Sequence, residues 1–181
     1  GVAGLVRAGE ATTLMLYTPS GQVVLLDPGK EINEISTAVS RRLSPWRYQV
    51  DQVWLSNSTS ARYLAELDER IPVRSVILPP VVYRAGAETK PVVIPPELSP
   101  IKLQPGEGIE MGGDVTIRVV AESLDSAAIL VTHKELKMLI PNGVDYVLIR
   151  EQEPEVLDDL SILVLREEDI DYIPPRVWQA H

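Results

Sequence analysis

The 181 residues amount to one domain's length of chain, and their 45% apolar content is enough to close a real core. Seventeen basic residues against 26 acidic ones give a net charge of −9, which repels a phosphate backbone and excludes a nucleic-acid binder that uses its whole surface. The absence of cysteine excludes disulfides and thiolate metal sites.

In chain order, Leu5 to Arg7, Thr12 to Tyr17 and Val23 to Leu26 read as three strands of a meander, with Ser20-Gly21 as a tight turn between the last two. Asp27-Pro28-Gly29 breaks the third strand. Ile32, Ile35, Ala38, Val39 and Leu43 then recur at the spacing of an amphipathic helix ending near Ser44-Pro45. From Val50 a short apolar strand through Val53, Trp54 and Leu55 runs into the polar turn Ser56 to Ser60 and a helix over residues 60 to 69, for which Ser58, Thr59 or Ser60 can supply the cap. Val73 to Leu78 completes a second strand, helix, strand unit. A right-handed crossover is expected for the first such unit.

From Pro79 to Pro100 six prolines (Pro79, Pro80, Pro91, Pro95, Pro96, Pro100) predict an extended surface bridge without regular structure. Beyond it, Ile109 to Met111 and Val115 to Val120 read as a hairpin with Gly112-Gly113 at its tip. Ala127 to Thr132 and Leu136 to Ile140 form another around His133-Lys134-Glu135. The glycines at 106, 108, 112 and 113 lack the Lys-Ser or the helix that a phosphate loop needs, so they belong to turns. Val144 to Arg150 has no assigned type, the acidic stretch Glu151 to Asp159 reads as a solvated loop and helix turn, and Ser161 to Leu165 reads as an apolar strand. Val177-Trp178 behind Pro174-Pro175 reads as a short helix. The two histidines, His133 in a turn and His181 at the terminus, and the carboxylates Glu167, Glu168, Asp169 and Asp171 read as solvated groups.

This order predicts an α/β fold, two sheets face to face with helices outside, in one domain: a first half of about 1–78, the bridge of about 79–100 and a second half of about 101–181. Gly9-Glu10-Ala11-Thr12, Thr18-Pro19-Ser20-Gly21, Val24-Leu25-Leu26-Asp27-Pro28-Gly29, Leu43-Ser44-Pro45-Trp46-Arg47 and Val50-Asp51 follow one another in an order that resembles the metallo-β-lactamase-like domain of the ComEC family of DNA-uptake proteins. The resemblance implies a four-layered αββα sandwich whose second half is abbreviated or lacks its last part. The second sheet would then present an edge with unpaired backbone groups, open to self-association.

In that family a Thr is followed by His-x-(His or Asp)-x-Asp-His, which binds metals. Here Ser56 holds the Thr position, and Asn57, Thr59, Ala61 and Arg62 stand at the ligand positions. None is a good ligand for zinc, and an arginine is a permanent cation. Asn142-Gly143 matches the family's Thr-Gly-Asp turn without its aspartate, and Glu167-Glu168 falls near the second His segment without a histidine. Asp27, Asn57, Thr59, Ala61, Arg62, Asn142, Gly143, Glu167 and Glu168 are therefore read as vestigial motif positions.

What the resemblance implies is a non-catalytic domain, without metal or cofactor, in a bacterial DNA-uptake membrane protein. Its role is scaffolding or interaction, outside the cytoplasm, and the rest of a membrane channel protein is its partner. A metal-dependent hydrolase or nuclease, and an interaction module unrelated to DNA uptake, are the competing readings. No apolar run approaches the ~20 residues of a bilayer span, so the chain is expected to be a soluble piece of a longer protein, binding nucleic acid weakly or not at all. A local basic patch from Arg41, Arg42, Arg47 and Arg62 remains compatible with the net charge. Arg62 has two placements: into the emptied metal pocket against Asp27, Glu167 or Glu168, or into solvent, the commoner place for a helix arginine.

Overall fold

The computed structural model describes residues 3–8, 11–43, 46–83, 94–95 and 97–165. Strands β1 (Ala3–Ala8), β2 (Ala11–Tyr17) and β3 (Val23–Leu26) form an antiparallel meander. The strands β4 (Gln52–Trp54), β5 (Ser75–Leu78) and β6 (Ser99–Lys102) add to β3 in parallel, giving the sheet order β1-β2-β3-β4-β5-β6. Parallel neighbours need crossovers, and helices supply them. Helix α1 (Ile32–Ser40) joins β3 to β4, while α2 (Ser58–Ala61) and α3 (Leu64–Arg70) join β4 to β5. All four residues of β3 are buried, as expected of a strand covered on both faces. Helices α1 and α3 touch one another and so cover the same face.

The second sheet covers the other face. It is a meander of β7 (Gly108–Met111), β8 (Val115–Glu122), β9 (Ala127–His133) and β10 (Leu136–Ile140), with β11 (Ile162–Leu163) added in parallel to β10. Strand β9 shows the layering by its period of two. Ala127, Ile129 and Val131 join the large core shared with the first sheet, whereas Ala128 and Leu130 join Val144, Ile149, Val156 and Leu160 beneath helix α4 (Tyr146–Gln152) and a 3-10 turn at Pro154–Val156. A bulge in β8 lets Val119 face Ile129 and Ala121 face Ala128, which moves Ala121 to the outer core. The result is helix, sheet, sheet, helix.

Three sequence expectations are corrected. The helix expected over 60 to 69 is two helices, because Arg62 and Tyr63 donate to carbonyls three residues back and break the register between α2 and α3. Helix α1 stops at Ser40, where the bond from Arg42 N–H to the Val39 carbonyl tightens the turn, although Leu43 still packs on the core. In the supposed bridge, residues 80–83 form a helical turn, Val81, Val82 and Leu98 are buried, and β6 completes the first sheet. Prolines mislead here because each sits where its missing N–H costs nothing. Pro80 opens a turn, and Pro100 lies on the outer edge, since Leu103 N–H bonds the Leu78 carbonyl and the alternation turns residue 100 away from β5. The segment left without a type is α4, capped by the Asp145 carboxylate on Val147 N–H at 2.6 Å. Pro91, Pro96 and the helix expected at Val177-Trp178 lie outside the described residues.

Two contacts hold the start of the parallel sheet. The buried Asp51 carboxylate accepts Val23 N–H at 2.8 Å and faces Arg47 at 3.4 Å. On the other side Gly112 N–H donates to Gln22 Oε1 at 2.8 Å, and a Cβ on Gly112 would stand 2.4 Å from Ser20 Oγ, so the second sheet can dock on the β2–β3 turn only with glycine there.

Asp51→Ala leaves Val23 N–H buried without an acceptor and should lower stability by about 2 to 3 kcal/mol in urea titration; a loss below about 0.5 would show that the clamp is dispensable. Tyr17 gives the opposite expectation. Its hydroxyl is buried with no partner among the described residues, and burial raises its pKa despite the opposing Arg42 charge. Tyr17→Phe should therefore be neutral or stabilising by up to about 1 kcal/mol. A phenol whose pKa is raised on folding keeps its proton longer folded than unfolded, so its contribution is full below pH 10 and is lost as pH rises through the folded value. Tyr17→Phe should flatten the fall in stability above that pH.

Candidate functional site

Asp27 ends β3 in a left-handed conformation, φ 50°, with its N–H on the Trp54 carbonyl at 2.9 Å. Thr13 fastens the turn: its Oγ1 donates to the Asp27 carbonyl at 3.4 Å and accepts Gly29 N–H at 3.2 Å. The strained backbone aims a carboxylate at the end of the neighbouring strand. There the residue after β4 and Leu55 takes both of its oxygens, Ser56 N–H bonding Oδ1 and Ser56 Oγ bonding Oδ2, each at 2.6 Å. Both residues are buried, Asp27 at 3% and Ser56 at 0% exposure. Charge-assisted bonds this short are among the stronger polar contacts a fold makes.

Asn57 follows, and its Oδ1 accepts Ser60 N–H at 2.9 Å. The cap of α2 is thus Asn57, and not Ser58, Thr59 or Ser60; its own Nδ2 turns back to Ser56 Oγ at 3.3 Å. The other motif positions diverge. Thr59 is exposed and Ala61 is buried. Arg62 is exposed at the C-terminal end of α2, with no side-chain partner among the described residues. Of its two expected placements Arg62 takes the one in solvent, because the break between α2 and α3 turns it outward.

From Ser56 the polar contacts cross to the second sheet. Ala127 N–H donates to the Ser56 carbonyl at 2.8 Å, and Asn57 bridges Ser126. The Ala127 carbonyl accepts Asn142 Nδ2 at 3.0 Å. In a strand the N–H and C=O of one residue point to the same side, and β10 ends opposite Ile129, so Ser56 and the Asn142 side chain occupy the edge of β9 that β10 leaves open. Asn142 is buried at 4%, with φ 52°, and its Oδ1 has no partner among the described residues. Gly143, φ 80°, brings the backbone beside Ser126.

Of the vestigial positions, then, Asp27, Asn57, Asn142 and Gly143 share one polar seam, Thr59 and Arg62 face out, and Glu167 and Glu168 lie outside the described residues. Sequence reading treated Ser56 only as a motif position and missed Ala127 and Ser126, whose parts are played largely by backbone. A dinuclear metal centre of the kind the resemblance brings does not fit this seam. Its donors are amides and hydroxyls, one carboxylate already holds Ser56, and among the described residues no three His, Cys, Asp or Glu converge.

Ser56→Ala removes one charge-assisted bond from a buried carboxylate and should cost about 1.5 to 3 kcal/mol, against less than about 0.5 for Arg62→Ala. Paired unfolding titrations check both. Equal losses, or a larger one for Arg62, would contradict the arrangement.

No protein-family model matches the chain, and neither does any curated protein. Solved structures do match. The Rm3 metallo-β-lactamase is similar over 99% of this chain and 86% of its own, with TM-score 0.67 and 15% identity. Metallo-β-lactamase MIM-1 from Novosphingobium pentaromativorans is similar over 100% and 79%, with TM-score 0.66 and 14% identity. Zinc-bound PqqB from Methylobacterium extorquens is similar over 75% of this chain but only 53% of its own length, with TM-score 0.59 and 11% identity. The chain has the metallo-β-lactamase fold.

Proposed function

We propose that this chain is a non-catalytic metallo-β-lactamase-fold domain with a scaffolding or interaction role in a bacterial DNA-uptake membrane protein of the ComEC type. One observation carries the non-catalytic part: the turn after β4 holds Asn57, Thr59, Ala61 and Arg62, of which Asn57 caps a helix and Thr59 and Arg62 face outward. A hydrolytic metal has to activate a bound water and stabilise charge on the substrate, which requires ligands at this turn. The DNA-uptake context rests on the order of the sequence segments that resemble ComEC. On this reading the domain lies beside membrane-spanning parts and outside the cytoplasm; no helix among the described residues is itself long and apolar enough to cross a membrane.

The test is elemental analysis of the purified chain after incubation with Zn²⁺ or Mn²⁺ and dialysis, together with cleavage assays on single- and double-stranded DNA. The expected outcome is far below one equivalent of metal and no cleavage. About one or two tightly held equivalents, or cleavage abolished by Asp27→Ala, would replace this reading with a metal-dependent hydrolase. Flanking sequence separates the ComEC context from an unrelated interaction module, because membrane-spanning segments beside this domain are required by the first.

A further inference from the structure

The polar seam lies at the end of the sheet where β3 and β4 finish. The opposite end, where β4 and β5 begin, has a different chemistry. Trp46 is 92% exposed there and Tyr48 41%. Around them stand Arg41, Arg42, Arg47, Arg70 and Arg74, all exposed. Hydrogen bonds and close approaches bind these residues into one face. Tyr48 Oη accepts Ser40 Oγ–H at 3.2 Å, at the end of α1, and donates to the Arg70 carbonyl at 3.4 Å, at the end of α3. Arg74 N–H meets the Val50 carbonyl, Arg42 lies close enough to Tyr17 to act on its ionisation, and Arg47 reaches the β2–β3 turn beside Gly21.

The acids on this face are partly engaged. Asp51 is buried against Arg47 and Val23 N–H, and Asp68 accepts Val73 N–H at 2.7 Å; Glu69 is exposed. A chain of net charge −9 therefore has, beside a bare indole, a face where five guanidinium groups stand against Asp51, Asp68 and Glu69.

We infer that this end is a docking face for an anionic phospholipid surface. Arginine matches phosphate with paired N–H donors, and tryptophan and tyrosine settle at the headgroup level, where an apolar ring and a polar edge are both satisfied. A single-stranded nucleic acid offers the same phosphates but is less well served. Its bases need a row of aromatic platforms, whereas one ring here is fully open, and a long strand would run off the patch onto acidic surface. A membrane touches the end alone, and salt screens the remaining negative charge within ~8 Å at physiological ionic strength. The inference is independent of whether the seam binds metal.

Vesicle co-sedimentation tests it, with phosphatidylcholine vesicles compared to vesicles containing 30% phosphatidylglycerol, beside a fluorescent single-stranded oligonucleotide in a parallel titration. Binding only to the anionic vesicles is expected, weakened at least about tenfold by Arg42→Glu with Arg74→Glu, each arginine near an anionic surface being worth roughly a factor of five. Trp46→Ala should weaken it as well, and circular dichroism should show all variants folded. No binding to anionic vesicles at low salt, binding indifferent to these substitutions, or a variant-sensitive affinity for the oligonucleotide alone would overturn the inference.

Discussion

The relative placement of the two sheets depends on Ser56, which the Asp27 carboxylate holds at the end of the first sheet and whose carbonyl holds Ala127 N–H of the second. Apolar burial between the sheets is strong but has no direction, and two flat apolar faces can slide over one another at little cost. The seam has direction. Asp27 holds Ser56 N–H and Oγ, the Ser56 carbonyl holds Ala127 N–H, and the Ala127 carbonyl holds the Asn142 amide. Each group is buried and each bond has one geometry, so a shift of one sheet by a residue would strand the Ser56 carbonyl and Ala127 N–H away from water. The left-handed backbone at Asp27 and Asn142 is the strain accepted to aim these side chains.

Such a seam also changes what the end of β3 needs. An aspartate in this position can be held by a cation or by neutral dipoles, and the two solutions leave different structures behind. A cation draws ligands from several elements, and the fold then depends on its presence. Here an amide and a hydroxyl from one serine bond both carboxylate oxygens, and Asn57, the first residue beyond, caps α2. Helix capping and metal ligation compete for the same turn, and the side chain at 57 decides between them: an amide oxygen accepts a backbone N–H as well as any cap does.

The layers were legible in the sequence because their signals are local. The continuous apolar run of Ala127 to Val131 and the helical spacing of Ile32, Ile35 and Val39 each report one element's own burial. The resemblance located Asp27, Asn57 and Asn142, which the fold does bring to one seam. What could not be read depends on partners far along the chain. The break at Arg62, the role of Ala127 backbone and the closeness of Gly112 to Ser20 all follow from packing between elements. Proline in residues 79–100 misled for a related reason: its cost depends on which way the missing N–H would point, and that is settled by the neighbouring strand.

The two ends of the parallel sheet have opposite electrostatic characters, and the topology accounts for this. Where β3 and β4 finish, the chain turns through Asp27, Ser56 and Asn57, whose polar groups bond one another. Helices α1 and α3 run back to the other end and finish there, and helix C-termini favour cations, which makes Arg41, Arg42 and Arg70 stable occupants of that end. Those arginines therefore have a structural reason to be there, worth a few tenths of a kcal/mol each. That reason does not extend to Trp46, which lies beyond the helix ends, touches no core cluster and leaves a large apolar ring in water. Helix electrostatics thus accounts for the charge of this end and not for the exposed Trp46 ring.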